Sequence, residues 1–326
     1  MLGSSAQADT ILMKNGDRLS GEVLSKTKTS VNFKTSYAGT LLIQMDEVSE
    51  LRFDEAEVLL KTDGATVDIL GANFDQGQIR IEPADGSREY EMAAEEVEHI
   101  VPEPWRLGQG GKFTGEVNLA LEFEDGNSES EELDLDYRMT YRRVDDRFRA
   151  LGDLEMDSNN GVQSKQDWST TLKYDRFMTD RLYGSMIASV RQEKYEGLDL
   201  RTTVGPALGY QFIEKEDENL LVELGVLWTD EQFNNSEDQS YWGPGWRLEY
   251  DNLLFEDRVK FYHRQTGTQS MSGEGDLFWQ AQTGLGFPMW GGMVLSSEHE
   301  IEYDGGPAGG ADKIDNTLRL KLGYQW

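Results

Sequence analysis

The last nine residues of the chain, LRLKLGYQW, alternate strictly between apolar and polar and finish on an aromatic ring. Successive side chains of a β-strand point to opposite faces, so Leu318, Leu320, Leu322, Tyr324 and Trp326 share one face and Arg319, Lys321, Gly323 and Gln325 the other. One greasy face ending in aromatic rings, backed by a cationic face, suits the closing strand of a transmembrane β-barrel. The edge strand of a soluble sheet can alternate in the same way, and the rest of the chain decides between them.

The chain has 326 residues, a formal charge of −30, no cysteine and 37% apolar residues, which is a low apolar share for a soluble protein of this size. No run of apolar residues approaches the roughly 18 that a membrane-crossing helix needs. A barrel needs no such run, because lipid sees only every second residue. The absence of cysteine removes disulfides, thiolate metal sites and covalent haem attachment, and no cofactor is predicted. The first residues, MLGSSAQAD, carry a small-x-small pattern at Ala6-Gln7-Ala8 and read as the remnant of a secretory signal over residues 1–8, with Asp9 the first mature residue. A flexible, small-residue terminus is the plain alternative.

Residues 9–103 hold an internal duplication with a period of about 48 residues. LMKNGDRLSGEVL at 12–24 answers VLLKTDGATVDIL at 58–70, and MDEVSELRF at 45–53 answers AAEEVEHIV at 93–101. Each copy has a strand, a glycine turn (Asn15-Gly16, Asp63-Gly64) and further short strands, which predicts two tandem SH3-like or Sm-like mini-barrels over 9–54 and 55–103. This half carries 20 acidic and 9 basic residues, which excludes nucleic acid as a natural partner. VPEPWRLGQGG at 101–111 has proline, glycine and no periodicity, and residues 104–111 read as a linker.

From residue 112 onward twelve alternating segments follow, each about ten residues long, which is what a tilted strand needs to cross a bilayer. Their outward faces include Phe113, Val117, Leu119, Leu121 and Phe123; Leu133, Leu135, Tyr137, Met139 and Tyr141; and Leu220, Val222, Leu224, Val226 and Trp228. Trp168, Tyr210, Trp228, Trp242, Trp246, Trp279, Tyr324 and Trp326 are the predicted membrane-anchoring aromatics. An even strand number returns Trp326 to the side where the barrel begins, which places the amino-terminal domain and Trp326 in the periplasm. Connections should then alternate between short (RRVDDR, YDRFMTDR, IEKEDEN, NLLFED, PMWGG) and long (DEQFNNSEDQS, GTQSMSGEGD, DGGPAGGADK among them). Together with LMKNGDRLSGEV, YAGTLLIQMDEV and the linker, this barrel resembles the salt-induced outer-membrane proteins, a family whose domain has no assigned function. The resemblance covers about residues 112–326, with the amino-terminal unit similar to a small β-domain that precedes such barrels. It implies an outer-membrane location and supplies no catalytic residues.

Alternation turns a dense set of charges into the lumen: Glu116, Asp134, Asp136, Arg138, Asp153, Glu155, Arg191, Arg201, Glu223, Arg247, Glu249, Arg264, Glu298, Glu300, Glu302, Arg319 and Lys321. Such groups either line a narrow water path or pair across the bore and fill it. Glu298, Glu300 and Glu302 have only Arg319 and Lys321 as evident counter-charges, which suggests a cation-preferring vestibule. Asp230, Glu231, Glu237 and Asp238, in an Asn-rich acidic loop, are weak candidates for a divalent cation, without EF-hand spacing. His263 and His299 point outward, with Ser297 two places from His299. A Cα separation of roughly 6–7 Å along one strand makes a direct Ser–His bond awkward, so no catalytic set is predicted. The reading is thus a non-catalytic narrow channel for ions or small cationic solutes. The alternatives are a plugged barrel that stabilises the envelope or docks a periplasmic partner through residues 9–103, and a lipid-modifying enzyme. Expected surroundings are outer-membrane lipid and lipopolysaccharide, with the barrel-assembly machinery engaging the last strand.

Overall fold

A computed structural model of the chain describes residues 8–26, 30–124, 130–195, 197–214, 217–234, 237–255, 258–271, 277–305 and 313–326. The Ala6-Gln7 half of the signal pattern lies outside these residues, as does the side chain of Phe123. The chain divides into two compact units between Gly110 and Gly111, within the proline- and glycine-rich stretch.

Among the described residues the first unit is strand with three single-turn 3₁₀ segments, before β5, before β9 and at Pro104–Leu107: β1 Asp9–Met13, β2 Arg18–Lys26, β3 Ser30–Thr35, β4 Gly39–Gln44, β5 Val48–Lys61, β6 Thr66–Asp75, β7 Gln78–Pro83, β8 Tyr90–Ala93 and β9 Val97–Ile100. The duplication is visible in its turns. Asn15 Oδ1 accepts the Asp17 amide at 2.9 Å, Asp63 Oδ1 accepts the Ala65 amide at 3.0 Å, and Gly16 and Gly64 take the same left-handed φ, 93° and 83°. The two copies share β5, whose first half pairs β1 and whose second half pairs β9. They form one sheet in the order β4-β3-β2-β1-β5-β6-β7-β8, with β9 pairing both β2 and β5. The reason is local: no turn former interrupts Val48–Lys61, so the last strand of the first copy runs on as the first strand of the second. A copy of about 48 residues alone would also bury little apolar surface. Ile11, Val23, Phe33 and Leu51 from the first copy and Leu59, Ile69, Ile81 and Ile100 from the second pack into one core.

His99 of β9 is half-buried at the edge of this core, 3.9 Å from Glu98. Burial is the main force pushing its imidazole down to about 4, and the Arg106 and Lys26 cations add to it against a smaller opposing pull from Glu103. An unfolded imidazole titrates near 6.5. Between those values the unfolded chain takes up a proton that the folded unit refuses, so stability falls as pH drops from about 6.5 towards 4 and is flat above. Urea unfolding of this unit within the intact chain, followed by limited proteolysis between pH 8 and pH 4, should show that loss. His99→Gln should flatten it, and an equal slope in the variant would assign the pH dependence to other groups.

The second unit is a closed ring of twelve antiparallel strands: β10 Lys112–Glu124, β11 Ser130–Arg142, β12 Asp146–Asn159, β13 Val162–Phe177, β14 Leu182–Glu193, β15 Leu198–Glu214, β16 Glu218–Phe233, β17 Gln239–Leu254, β18 Val259–Gln269, β19 Leu277–Pro288, β20 Met293–Asp304 and β21 Ile314–Gln325. Closure is direct: β10 pairs β21, and Gly115 and Trp326 exchange two backbone hydrogen bonds of 3.1 Å. Connections at the end holding Lys112 and Trp326 are three or four residues long, and those at the other end run from two to nine. The outward side chains are apolar and open, with Leu224, Leu318 and Leu320 65%, 74% and 71% exposed. Trp168, Trp228, Trp242, Trp246 and Trp279 lie in the strand halves next to the longer connections, and Tyr210, Tyr324 and Trp326 lie near the shorter ones. An apolar wall between two aromatic belts around a charged bore is the architecture of an outer-membrane barrel.

Candidate functional site

Every lumen residue expected from the alternation lies in the bore, and the structure shows which of them meet. Near the short-connection end Arg149 of β12 is buried among three carboxylates: Glu223 of β16 at 2.7 Å, Glu249 of β17 at 3.1 Å and Asp175 of β13 at 3.3 Å. β12 and β17 stand five strands apart round a ring of twelve, so the Arg149–Glu249 pair crosses the bore. Lys173 joins Glu223, Arg147 binds Asp175 at 2.8 Å, and Arg247 binds Glu249 at 3.0 Å. Arg138 of β11 reaches Glu116 at 3.4 Å and Glu249 at 3.6 Å, while Arg264 of β18 binds Glu116 at 3.2 Å and Asp251 at 3.3 Å.

A second set bridges the other half. Arg319 binds Asp134 at 2.6 Å and joins Glu155 and Glu300; Lys321 binds Asp136 at 2.8 Å and Glu298 at 2.7 Å. Arg191 of β14 meets Glu302 of β20 at 2.7 Å from the opposite wall, and Arg201 binds Glu231 at 2.6 Å and Asp304 at 3.1 Å. The Glu298–Glu302 strip therefore has the counter-charges expected from β21 and a third, Arg191, that alternation along one hairpin could not supply. Asp153 accepts a 2.5 Å hydrogen bond from Ser169.

Two features escaped the sequence reading. RRVDDR and YDRFMTDR read as connections, yet Arg147 lies in β12 and Asp175 in β13, both buried in the bore. The actual turns are shorter, residues 143–145 and 178–181. Tyrosines also bind carboxylates across glycines. Tyr183 of β14 lies over Gly209 of β15 and donates to Glu223 of β16 at 2.8 Å, and Tyr262 of β18 lies over Gly284 of β19 and donates to Glu298 of β20 at 2.9 Å. A Cβ at either glycine would enter the tyrosine ring, so the bare backbone is what lets the phenol reach across.

Three cavities follow one another along the bore. A lower one of about 400 Å³ is lined by Glu116, Asp217, Glu218, Asp251 and Lys260 among others. A central one of about 220 Å³ carries the hydroxyls of Ser169, Thr171, Ser189, Thr203, Thr266 and Thr268 and the amides of Gln280 and Gln282. Arg138 and Arg264 border both. An upper one of about 50 Å³ shares Asp136, Asp153 and Arg191 with the central cavity and is lined by eight carboxylates (Asp134, Asp136, Asp153, Glu155, Asp167, Glu300, Glu302, Asp315) against four cations (Lys165, Arg191, Arg319, Lys321).

The loop candidates for a cation do not converge. Glu231 turns into the bore to Arg201, Asp230 takes Gln232 at 3.3 Å, Asp238 accepts the Phe233 amide at 3.1 Å and Glu237 is exposed. Among the described residues no cluster of acidic or histidine side chains could hold a metal ion. His263 and His299 face outward, and His263 bonds Thr283 at 2.8 Å.

Residues 117–326, nearly the whole barrel, match the family described as "Protein of unknown function, DUF481". The chain belongs to this family. The match begins inside β10, so the family model does not extend to the amino-terminal unit. No curated protein matches the chain. Among solved structures, the family member is similar to the NanC porin, with 10% identity over 66% of this chain and 100% of that one and a TM-score of 0.41. The translocator domain of the autotransporter NalP from Neisseria meningitidis gives 13%, 67%, 88% and 0.38 for the same measures. The outer membrane channel DcaP of Acinetobacter baumannii gives 11%, 67%, 98% and 0.34.

Removing one partner from a buried ion-pair set strands the others, at a cost of about 3–5 kcal/mol, whereas an exposed pair contributes less than about 1 kcal/mol. Arg149→Met should lower markedly the temperature at which the folded gel band converts to the unfolded one. Arg176→Ala, which removes a rim pair with Asp145 at 3.3 Å, should barely move it. Equal shifts would mean that the Arg149 set is not cohesive. Gly209→Ala should displace Tyr183 and lower the same midpoint by an amount equivalent to about 1–3 kcal/mol; an unchanged midpoint would show that the ring can move aside freely.

Proposed function

We propose that the barrel is a narrow, cation-preferring passage for ions and small polar solutes, closed by side chains in the state described. Its short-connection end, residues 9–110 and Trp326 face the periplasm in this reading. One observation carries it: the partitions between the three cavities are wall side chains, chiefly Arg138 and Arg264 below and Asp136, Asp153 and Arg191 above. Side chains can swing away, whereas a folded plug must unfold or leave. The sign of selectivity follows from the upper chamber, where carboxylates outnumber cations two to one and a confined field favours positive solutes. No step in this reading requires catalysis.

The second reading, a permanently plugged barrel with a structural role, draws on the cross-bore pairs of Arg149 and Arg191. Planar-bilayer recordings in a salt gradient separate the two. The channel reading expects small cation-selective steps from the wild type, a several-fold larger conductance from Arg138→Ser, and weaker cation preference from Asp134→Asn combined with Glu300→Gln. A folded, heat-modifiable protein that stays silent in both the wild type and Arg138→Ser would establish the plugged role, and anion-selective steps would overturn the solute class.

A further inference from the structure

The outward face of β18, β19 and β20 departs from the apolar wall. His263, Gln265, Thr283, Ser297 and His299 all point outward there. Thr283 stands directly opposite His263 on one side and His299 on the other, so three polar residues form one row across three strands. His263 Nδ1 and Thr283 Oγ1 are 2.8 Å apart. Gln265 is satisfied within the wall: with its amide turned, its oxygen accepts from Trp246 Nε1 at 3.1 Å and Trp279 Nε1 at 2.7 Å. Ser297 and His299 make no side-chain hydrogen bond among the described residues, and His299 is exposed. His299 lies in the middle of β20, six residues from Met293 and five from Asp304, at the level where the wall faces hydrocarbon. Lipid chains offer no hydrogen-bond partner, and each polar group left bare there costs several kcal/mol. Ionisable groups at such depth mark function.

We propose that this strip is the face through which two copies of the chain meet in the membrane. A hydroxyl and a neutral imidazole each carry a donor and an acceptor, so the row is its own complement under a two-fold axis. The outward positions of β18–β20 hold no aspartate, glutamate, lysine or arginine, which lets two chains of charge −30 touch without opposing like charges. The strip is independent of what passes through the bore.

The absence of cysteine makes the test clean, because Ser297→Cys introduces a single thiol. In mild detergent and in membrane fragments, a short bismaleimide should convert most of the Ser297→Cys protein to a covalent dimer. Met186→Cys, on the outward face of β14 six strands away, should stay single. His263→Leu with His299→Leu, which makes the strip lipid-compatible, should leave the barrel heat-modifiable yet cut cross-linking of the Ser297→Cys background at least tenfold and shift the light-scattering mass to that of a monomer. A monomeric mass with no Ser297→Cys product would overturn the proposal. Equal cross-linking at Met186→Cys, or adducts only with a different protein, would overturn it as well.

Discussion

Closure of the ring is the constraint from which the rest of the barrel follows. In hydrocarbon every backbone N–H and C=O needs a partner, and the paired bonds between Gly115 and Trp326 remove the last free edge. Once the ring is closed, the parity of each strand is locked to that of its neighbours. A slip of one residue in β12 would put Arg149 into lipid and Phe148 into the bore, so wall and bore are two sides of one register.

The bore then has to resolve its own charges. Buried ion pairs are a weak source of net stability, because desolvation offsets most of the attraction, but removing one member is costly. Their effect here is geometric. Arg149 ties β12 to β16 and β17, and Arg191 ties β14 to β20, so cations on one wall fix the distance to the other. A barrel whose strands are otherwise joined only to neighbours gains cross-members at two levels. The tyrosines that reach across Gly209 and Gly284 brace Glu223 against Arg149 and Glu298 against Lys321.

Strand number, outward faces and the inward charges were legible because each depends only on a period of two along the chain. Which charges meet was not, because it depends on the stagger between strands, which alternation does not encode. Arg149 and Glu249 are brought together by shear and closure, and so are Arg191 and Glu302, which sit on opposite hairpins. Arg147 and Asp175 were misplaced because arginine–aspartate runs resemble turns, and only the tightness of the 143–145 and 178–181 connections draws them into strands. In the amino-terminal unit the repeat was plain at Asn15-Gly16 and Asp63-Gly64, while the fusion into one sheet turned on the missing break in β5. Strands that pair within a copy or between copies have the same local sequence grammar.

Two cations of the first set differ in how firmly they are held. Arg149 contacts its carboxylates at 2.7 to 3.3 Å and is buried on all sides. Arg138 contacts Glu116 and Glu249 only at 3.4 and 3.6 Å, its Nε and Nη1 make no hydrogen bond, and its side chain is 24% exposed. In the proposed passage, releasing two such contacts costs on the order of 2 kcal/mol, which corresponds to a closed-to-open ratio of roughly thirty to one. Displacing Arg149 would leave three buried carboxylates without their cation and cost more than that. In the proposed passage the soft point of the partition is therefore Arg138, which borders both the lower and the central cavity, and the Arg149 set beside it would keep the barrel in shape as Arg138 swings aside.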